Sequence, residues 1–142
     1  MEISVNWLAI LIAVVVQFFI GFLWYGPLFG KAWAKELGID MTQKPDQSVM
    51  IKGMAFMVIG NLLTAWVLAN NIVAWGHVPG ILEMGKFSNV LTTAIFTCLG
   101  FYVPYHLGAI AWQKQSWTFF GINISYALVS LLVVSAILIY MN

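Results

Sequence analysis

The feature that most constrains this chain is the run from about residue 3 to residue 25, which contains no charged side chain. A bilayer core is about 30 Å thick, so a helix needs about 20 predominantly apolar residues to cross it. Three further uncharged runs follow, at about 53–73, 89–112 and 117–140. We therefore predict four transmembrane helices.

The composition limits how these helices can be organised. Of the 142 residues, 62% are hydrophobic and 8% are charged, which is outside the range of soluble domains. Four spans leave no room for a separate soluble domain, so residues 1–142 are predicted to form one all-α integral membrane domain, a single four-helix bundle. A formal net charge of +1 without a basic cluster gives no basis for nucleic-acid binding.

The first apolar run breaks at Gly26-Pro27 and is followed by a shorter amphipathic segment. Proline suits the first turn of a helix, and apolar and lysine side chains then alternate between two faces. We predict a short helix over about 27–37 that lies in the membrane interface and ends at Gly38. The same periodicity also fits an extension of the first span that bends at Gly26-Pro27.

The lysines predict the orientation, because the chain contains no arginine. Lys86 alone falls in the second connection, and the other five fall on the side of the first and third connections: Lys31, Lys35, Lys44, Lys52 and Lys114. Positive residues accumulate in cytoplasmic loops. We therefore predict that the first and third connections face the cytoplasm and that both termini face the other side.

Polar side chains inside the spans are the candidate functional residues, because each costs free energy in lipid unless it is paired. Gln17, Asn61 and Asn123 are such residues, and each either lines a substrate path or forms a hydrogen bond between helices. His106 is our first candidate, since it is the only group within a span that changes charge near neutral pH. The alternative is a neutral histidine that donates to a carbonyl freed by Pro104.

Small residues recur at every fourth position of the first span, at Ala9, Ala13, Gln17 and Gly21. Such a stripe lets another helix approach closely, and internal packing is its simplest interpretation. The second and fourth spans carry similar faces of small and polar residues. Four helices do not need all of these faces to pack on one another, so some of them are left for a second copy of the chain. We therefore also predict a homo-oligomer.

The sequence contains no catalytic constellation. No acidic residue lies within a span, and no nucleophile has an adjacent base. His77, Cys98 and His106 fall at different depths or on different faces, so they do not suggest a metal site. We predict a protein without catalytic residues, bound metal or cofactor.

The segment LWYGPLFGKAW, residues 23–33, strongly resembles the signature of a bacterial membrane-protein family catalogued as domain of unknown function 1761. Residues 106–109 and 122–129 resemble the motifs of its third and last helices. The resemblance covers nearly the whole chain and implies a small four-helix prokaryotic membrane protein without an assigned activity. The residues at motif positions are Trp24, Gly26, Pro27, Gly30, Lys31, Trp33, His106, Gly108 and Asn123.

These observations favour a non-enzymatic, homo-oligomeric protein of the bacterial inner membrane that binds or passes a small molecule or ion. The Gly26-Pro27 break, His106 and Asn123 would line the route, and Lys31 would meet an anionic lipid headgroup or substrate. The alternative is a structural or accessory subunit that binds membrane lipids or other membrane proteins. An internal aqueous cavity would favour the first function, and a dry, fully packed bundle the second.

Overall fold

The computed structural model describes residues 3–142. These residues form helices and short connections without a strand. Four helical segments are long and apolar enough to cross a membrane, and they comprise Trp7–Leu28, Gln47–Trp75, Lys86–Gln113 and Trp117–Tyr140. The prediction of an all-α membrane protein with four spanning helices is confirmed.

The first span and the short helix after it are divided differently from the sequence prediction. Helix α1 (Trp7–Leu23) runs directly into a π-helical turn (Trp24–Leu28), and α2 (Gly30–Leu37) follows after Phe29. Because proline has no amide hydrogen and its ring disturbs the α-helical pattern, the Phe29 amide bonds to the Trp24 carbonyl, five residues back, at 2.9 Å. The short helix therefore begins at Gly30 and not at residue 27, and Pro27 belongs to the end of the span.

The second span is longer than predicted. Helix α3 (Gln47–Trp75) extends beyond the apolar run on both sides. Its N-cap is Asp46, whose carboxylate accepts the Ser48 amide hydrogen. A short helix, α4 (Pro79–Glu83), lies in the connection that follows.

The third span, which contains Gly100, Pro104 and Gly108, is not one continuous α-helix. Helix α5 (Lys86–Thr97) passes into a second π-helical turn (Cys98–Tyr102), and α6 (Val103–Gln113) completes the span. The last helix, α7 (Trp117–Tyr140), follows a tight turn in which Lys114 has a φ of 54°.

Helix α7 lies at the centre of the packing, where it contacts α1, α3 and α5. The small-residue stripe of α1 is used inside the chain, because Ala9, Ala13, Gln17 and Gly21 are all buried. Ala65 and Ala69 of α3 are buried as well. Alanine and glycine let helix backbones approach closely, so these residues allow α1 to pack tightly against α3 and α7.

The two ends of the molecule differ in charge. The Ser116 hydroxyl donates a hydrogen bond to the Glu36 carboxylate, which joins the start of α7 to α2 and places the first and third connections at one end. We call this the lysine-rich end. At the other end the Lys86 ammonium lies 5.6 Å from the centre of the Tyr140 ring.

Candidate functional site

Hydrogen bonds join the glycine- and aromatic-rich motif at residues 23–33 to the first part of α7. The Trp24 indole nitrogen donates to the Ile122 carbonyl at 3.1 Å. The next residue, Tyr25, donates its hydroxyl hydrogen to Asn123 Oδ1 at 2.6 Å. Asn123 is buried, so this bond satisfies an amide oxygen that would otherwise be costly in lipid.

Aromatic rings surround the Tyr25–Asn123 pair. The Tyr25 ring meets the Tyr126 ring at 5.1 Å and the Trp33 ring at 5.5 Å, both edge to face. Tyr126 lies one turn beyond Asn123 on α7, and Trp33 lies on α2. Tyr25 therefore connects the first span, the short helix and the last span at one point.

The glycines of the motif do not share one role. A Cβ atom on Gly30 would lie 2.7 Å from the Tyr25 carbonyl oxygen, so only glycine fits this close backbone approach. A Cβ atom on Gly26 or on Gly108 would have no neighbour within 4 Å. Gly30 is thus explained by packing, whereas no close contact within the chain explains Gly26 or Gly108.

A cavity of about 550 Å³ opens at the lysine-rich end, and we call it the vestibule. Its inner wall includes Tyr25, Gly30 and Trp33, and its outer wall is the connection before α3, residues 39–41 and 43–46. The outer wall carries Asp40, Lys44 and Asp46. The cavity thus combines aromatic surface with both signs of charge, and it reaches the Tyr25–Asn123 pair.

The outer wall is locally ordered by its own side chains. The Thr42 hydroxyl and backbone amide both donate to Asp40 Oδ1, at 2.6 and 2.9 Å. These two hydrogen bonds stabilise the carboxylate and lower the pKa of Asp40 below its ordinary value. Asp46 is held as the cap of α3.

The interface between α1, α3 and α7, which we call the seam, leads from the vestibule toward the other end. Gln17 and Asn61 are buried in it, each 6% exposed. At the far end, a second cavity of about 380 Å³ is lined by Ile72 and Val73 together with His77 and Lys86. Ile72 and Val73 also border a much smaller space that lies against Ala9.

The remaining predicted residues lie outside this arrangement. Lys31 is exposed on α2. His106 is half-buried on α6, where its ring meets the neighbouring Tyr105 ring edge to face at 5.2 Å. Among residues 3–142, no hydrogen bond joins the His106 side chain to another group, and no cluster of three or more histidine, cysteine or acidic residues could hold a metal ion. The structure thus groups Asn123 with the motif, but not His106 or Lys31.

Sequence reasoning did not single out Tyr25 and Tyr126 as site residues. A signal was present on α7, where Asn123, Tyr126 and Ser130 follow the i, i+3, i+7 spacing of one helix face. The partner of Asn123 was hidden, because Tyr25 is 98 residues away in the chain.

Residues 8–139 match a family described as protein of unknown function (DUF1761). The chain belongs to this family. The match runs through all four spans and confirms the resemblance carried by the three motifs. No curated protein and no solved structure matches the chain.

Proposed function

We propose that this protein is a non-enzymatic homo-oligomer of the bacterial inner membrane that binds or passes a small molecule or ion, with the vestibule as its binding site. The observation that carries the proposal is the position of Tyr25 between the vestibule and buried Asn123. The cavity reaches Tyr25, and the Tyr25 hydroxyl bonds directly to buried Asn123. A solute in the vestibule is thus one side chain away from the interior of the seam.

The vestibule walls suggest the kind of solute. Trp33 and Tyr25 offer aromatic faces, which attract organic cations and flat apolar groups. Asp40, Asp46 and Lys44 add two carboxylates and one ammonium group at the rim. A small solute with both a polar or charged part and an apolar part fits these walls best.

The charge distribution supports the orientation of this route. The Ser116–Glu36 bond brings the first and third connections together, so most of the lysines lie at the vestibule end. By the positive-inside rule this end faces the cytoplasm, and both termini face away from it. Exposed Lys31 on α2 is then available to anionic lipid headgroups of the inner leaflet.

Native mass spectrometry of protein released gently from membranes tests the proposal, because it reports subunit number and retained ligand together. We expect oligomers that carry a specific small molecule. Tyr25→Phe removes the hydroxyl that bonds Asn123 and should reduce the retained ligand. Tyr105→Phe is the matched control, because Tyr105 is 73% exposed and lies outside the vestibule.

Flux measurements supply the second half of the test. Proteoliposomes are assayed for protons, for monovalent cations and for small organic cations, with wild-type protein and with Tyr25→Phe. Faster flux of one solute that the Tyr25→Phe change slows would support passage along the seam. Absence of any retained ligand together with absence of flux for every solute would overturn the proposal.

A second candidate function, an accessory subunit of other membrane proteins, is favoured by a different observation. The third span points large aromatic side chains outward, and Phe101, Tyr105 and Trp112 are each at least 73% exposed. Such a face suits contact with lipid or with a partner helix. Mass spectra that contain the chain bound to another membrane protein, and no small ligand, would support this function instead.

A further inference from the structure

Helices α1, α3 and α7 meet at one point of the seam, and this contact defines which residues of the three helices are paired. A Cβ atom on Gly21 of α1 would overlap the methyl group of Met57 on α3 and would lie 3.2 Å from the Tyr126 hydroxyl on α7. The Met57 methyl group and the Tyr126 hydroxyl are therefore at the depth of Gly21, which pairs Gly21 with Met57 on α3 and with Tyr126 on α7.

The next layer of the seam follows from helix geometry. Helix α1 runs antiparallel to α3 and α7. Moving four residues toward the N-terminus of α1 therefore goes in the same direction as moving four residues toward the C-termini of α3 and α7. Each of these steps covers about 6 Å along the helix axis. These steps keep each side chain on the same helix face. They reach Gln17, Asn61 and Ser130.

Contacts farther along the seam keep the same register. Asn6 Nδ2 donates to the Met141 carbonyl at 2.9 Å, so α1 and α7 stay paired as they are at Gly21 and Tyr126. Ala9 and Ala69 border one small space, which continues the pairing of Gly21 with Met57. Gln17 therefore lies opposite both Asn61 and Ser130.

Each of these three side chains is more than nine-tenths buried and has a polar atom without a hydrogen-bond partner. The atoms are Gln17 Oε1, Asn61 Nδ2 and Ser130 Oγ, and the Tyr126 hydroxyl lies near the last of these without the geometry of a hydrogen bond. The first only accepts hydrogen bonds, the second only donates, and the hydroxyl does both. Such atoms are costly in the interior of a membrane protein unless another group satisfies them.

We propose that Gln17, Asn61 and Ser130 together bind a water molecule inside the seam. A water molecule accepts from the Asn61 amide and donates to Gln17 Oε1 and Ser130 Oγ, which satisfies all three atoms at once. A cation suits the layer less well, because the Asn61 amide hydrogens point positive charge at it and no carboxylate lies within the described spans. The site stands whether or not the seam conducts a solute.

Water-edited solid-state NMR on the ¹⁵N-labelled protein in lipid bilayers tests this site. Magnetisation should pass rapidly from water to the side-chain amides of Gln17 and Asn61. The backbone amides of Ala13 and Ala65 are the dry reference, because these residues lie one turn farther along the seam and are fully buried. Transfer to the two side chains that is as slow as to Ala13 and Ala65 would overturn the proposal.

A variant separates bound water from a direct bond between the two amides. Gln17→Met keeps the side-chain volume and removes the acceptor, so the water signal at Asn61 should fall several-fold. Thr97→Val is the matched control, because the Thr97 hydroxyl already donates to the Thr93 carbonyl of its own helix. An Asn61 signal unchanged by Gln17→Met would place its water elsewhere and overturn the three-residue site. The wild-type measurement decides the question if the variant does not fold.

Discussion

The first and last spans differ from the third span in how completely they are covered. In the most apolar part of α7, 50% of the residues are buried within the molecule, whereas the figure for the third span is 11%. Hydrogen bonds join α1 and its π-helical turn to α7 at both ends, through Asn6 and Tyr25. The third span packs mainly on α7 and presents aromatic residues outward. The paired spans hold the candidate site, and the third span leaves its large aromatic side chains exposed.

The largest difference in stability is expected from a bulky substitution placed in each of the two regions. Gly21→Leu places a side chain where α1, α3 and α7 meet, so overpacking should lower the free energy of unfolding by about 3 kcal/mol. Gly100→Leu in the third span meets nothing within 4 Å of its Cβ and should change stability by less than about 0.5 kcal/mol. Unfolding in mixed detergent micelles, followed by circular dichroism, measures both. Equal destabilisation would show that the third span is as tightly packed as the first.

A second comparison concerns two glycines of the motif at residues 23–33. Gly30→Ala brings a Cβ atom to 2.7 Å from the Tyr25 carbonyl oxygen, a backbone atom that cannot rotate away. The expected loss is about 1–2 kcal/mol. Gly26→Ala has open space around its Cβ and should be neutral. The same unfolding assay decides between them, and a Gly30→Ala protein of wild-type stability would contradict the close packing of α2 on the π-helical turn.

A smaller effect is expected from a single hydroxyl group. Tyr25→Phe leaves the buried Asn123 oxygen without its donor, which should cost about 1 kcal/mol, as is usual for a hydrogen bond between membrane helices. Tyr105→Phe removes an exposed hydroxyl and should cost nothing measurable. If both variants lost the same stability, the Tyr25–Asn123 bond would not contribute to holding the first span on α7.

The smallest expected effect concerns pH and the wall of the vestibule. The Asp40 pKa is lowered by the hydrogen bonds from Thr42, so the local order that these bonds provide is present above the ordinary aspartate pKa. It is lost as the pH falls through the lowered pKa. The Thr42 amide chemical shift should follow this titration, and Thr42→Val should move the Asp40 pKa back toward its ordinary value. A titration unchanged in Thr42→Val would rule out the side-chain bond as a cause.

The four spans could be predicted from the sequence because lipid allows a long uncharged run few other structures. The start of α3 is also indicated by the sequence, because Asp46 after Pro45 is a typical N-cap and its carboxylate accepts the Ser48 amide hydrogen. The apolar run by itself marks only part of this helix, so it places the start too late. A bend at the end of the first span is one of the two structures that the sequence predicts for Gly26-Pro27, because proline disturbs any helix. That the bend takes the form of a π-helical turn is seen in the bond from the Phe29 amide to the Trp24 carbonyl, and the apolar pattern does not distinguish this bond from other bends at a proline.

The candidate site was only partly predictable, for a related reason. Asn123, Gln17 and Asn61 were identified because an amide inside a span needs a partner, and this argument uses one residue at a time. Their neighbours are set by the pairing of distant helices. His106 was chosen for its chemistry, and the structure places it on α6, away from the Tyr25–Asn123 pair.

The π-helical turn makes the length of the motif as important as its composition. Such a turn holds one residue more than an α-helical turn, and each residue rotates the chain by about 100°. Removing a single residue between Leu23 and Phe29 would allow an ordinary helix, yet it would turn α2 by roughly a quarter of a circle or more about the axis. Trp33 would then no longer meet Tyr25. A change of one residue in spacing would thus separate two groups that no substitution had touched.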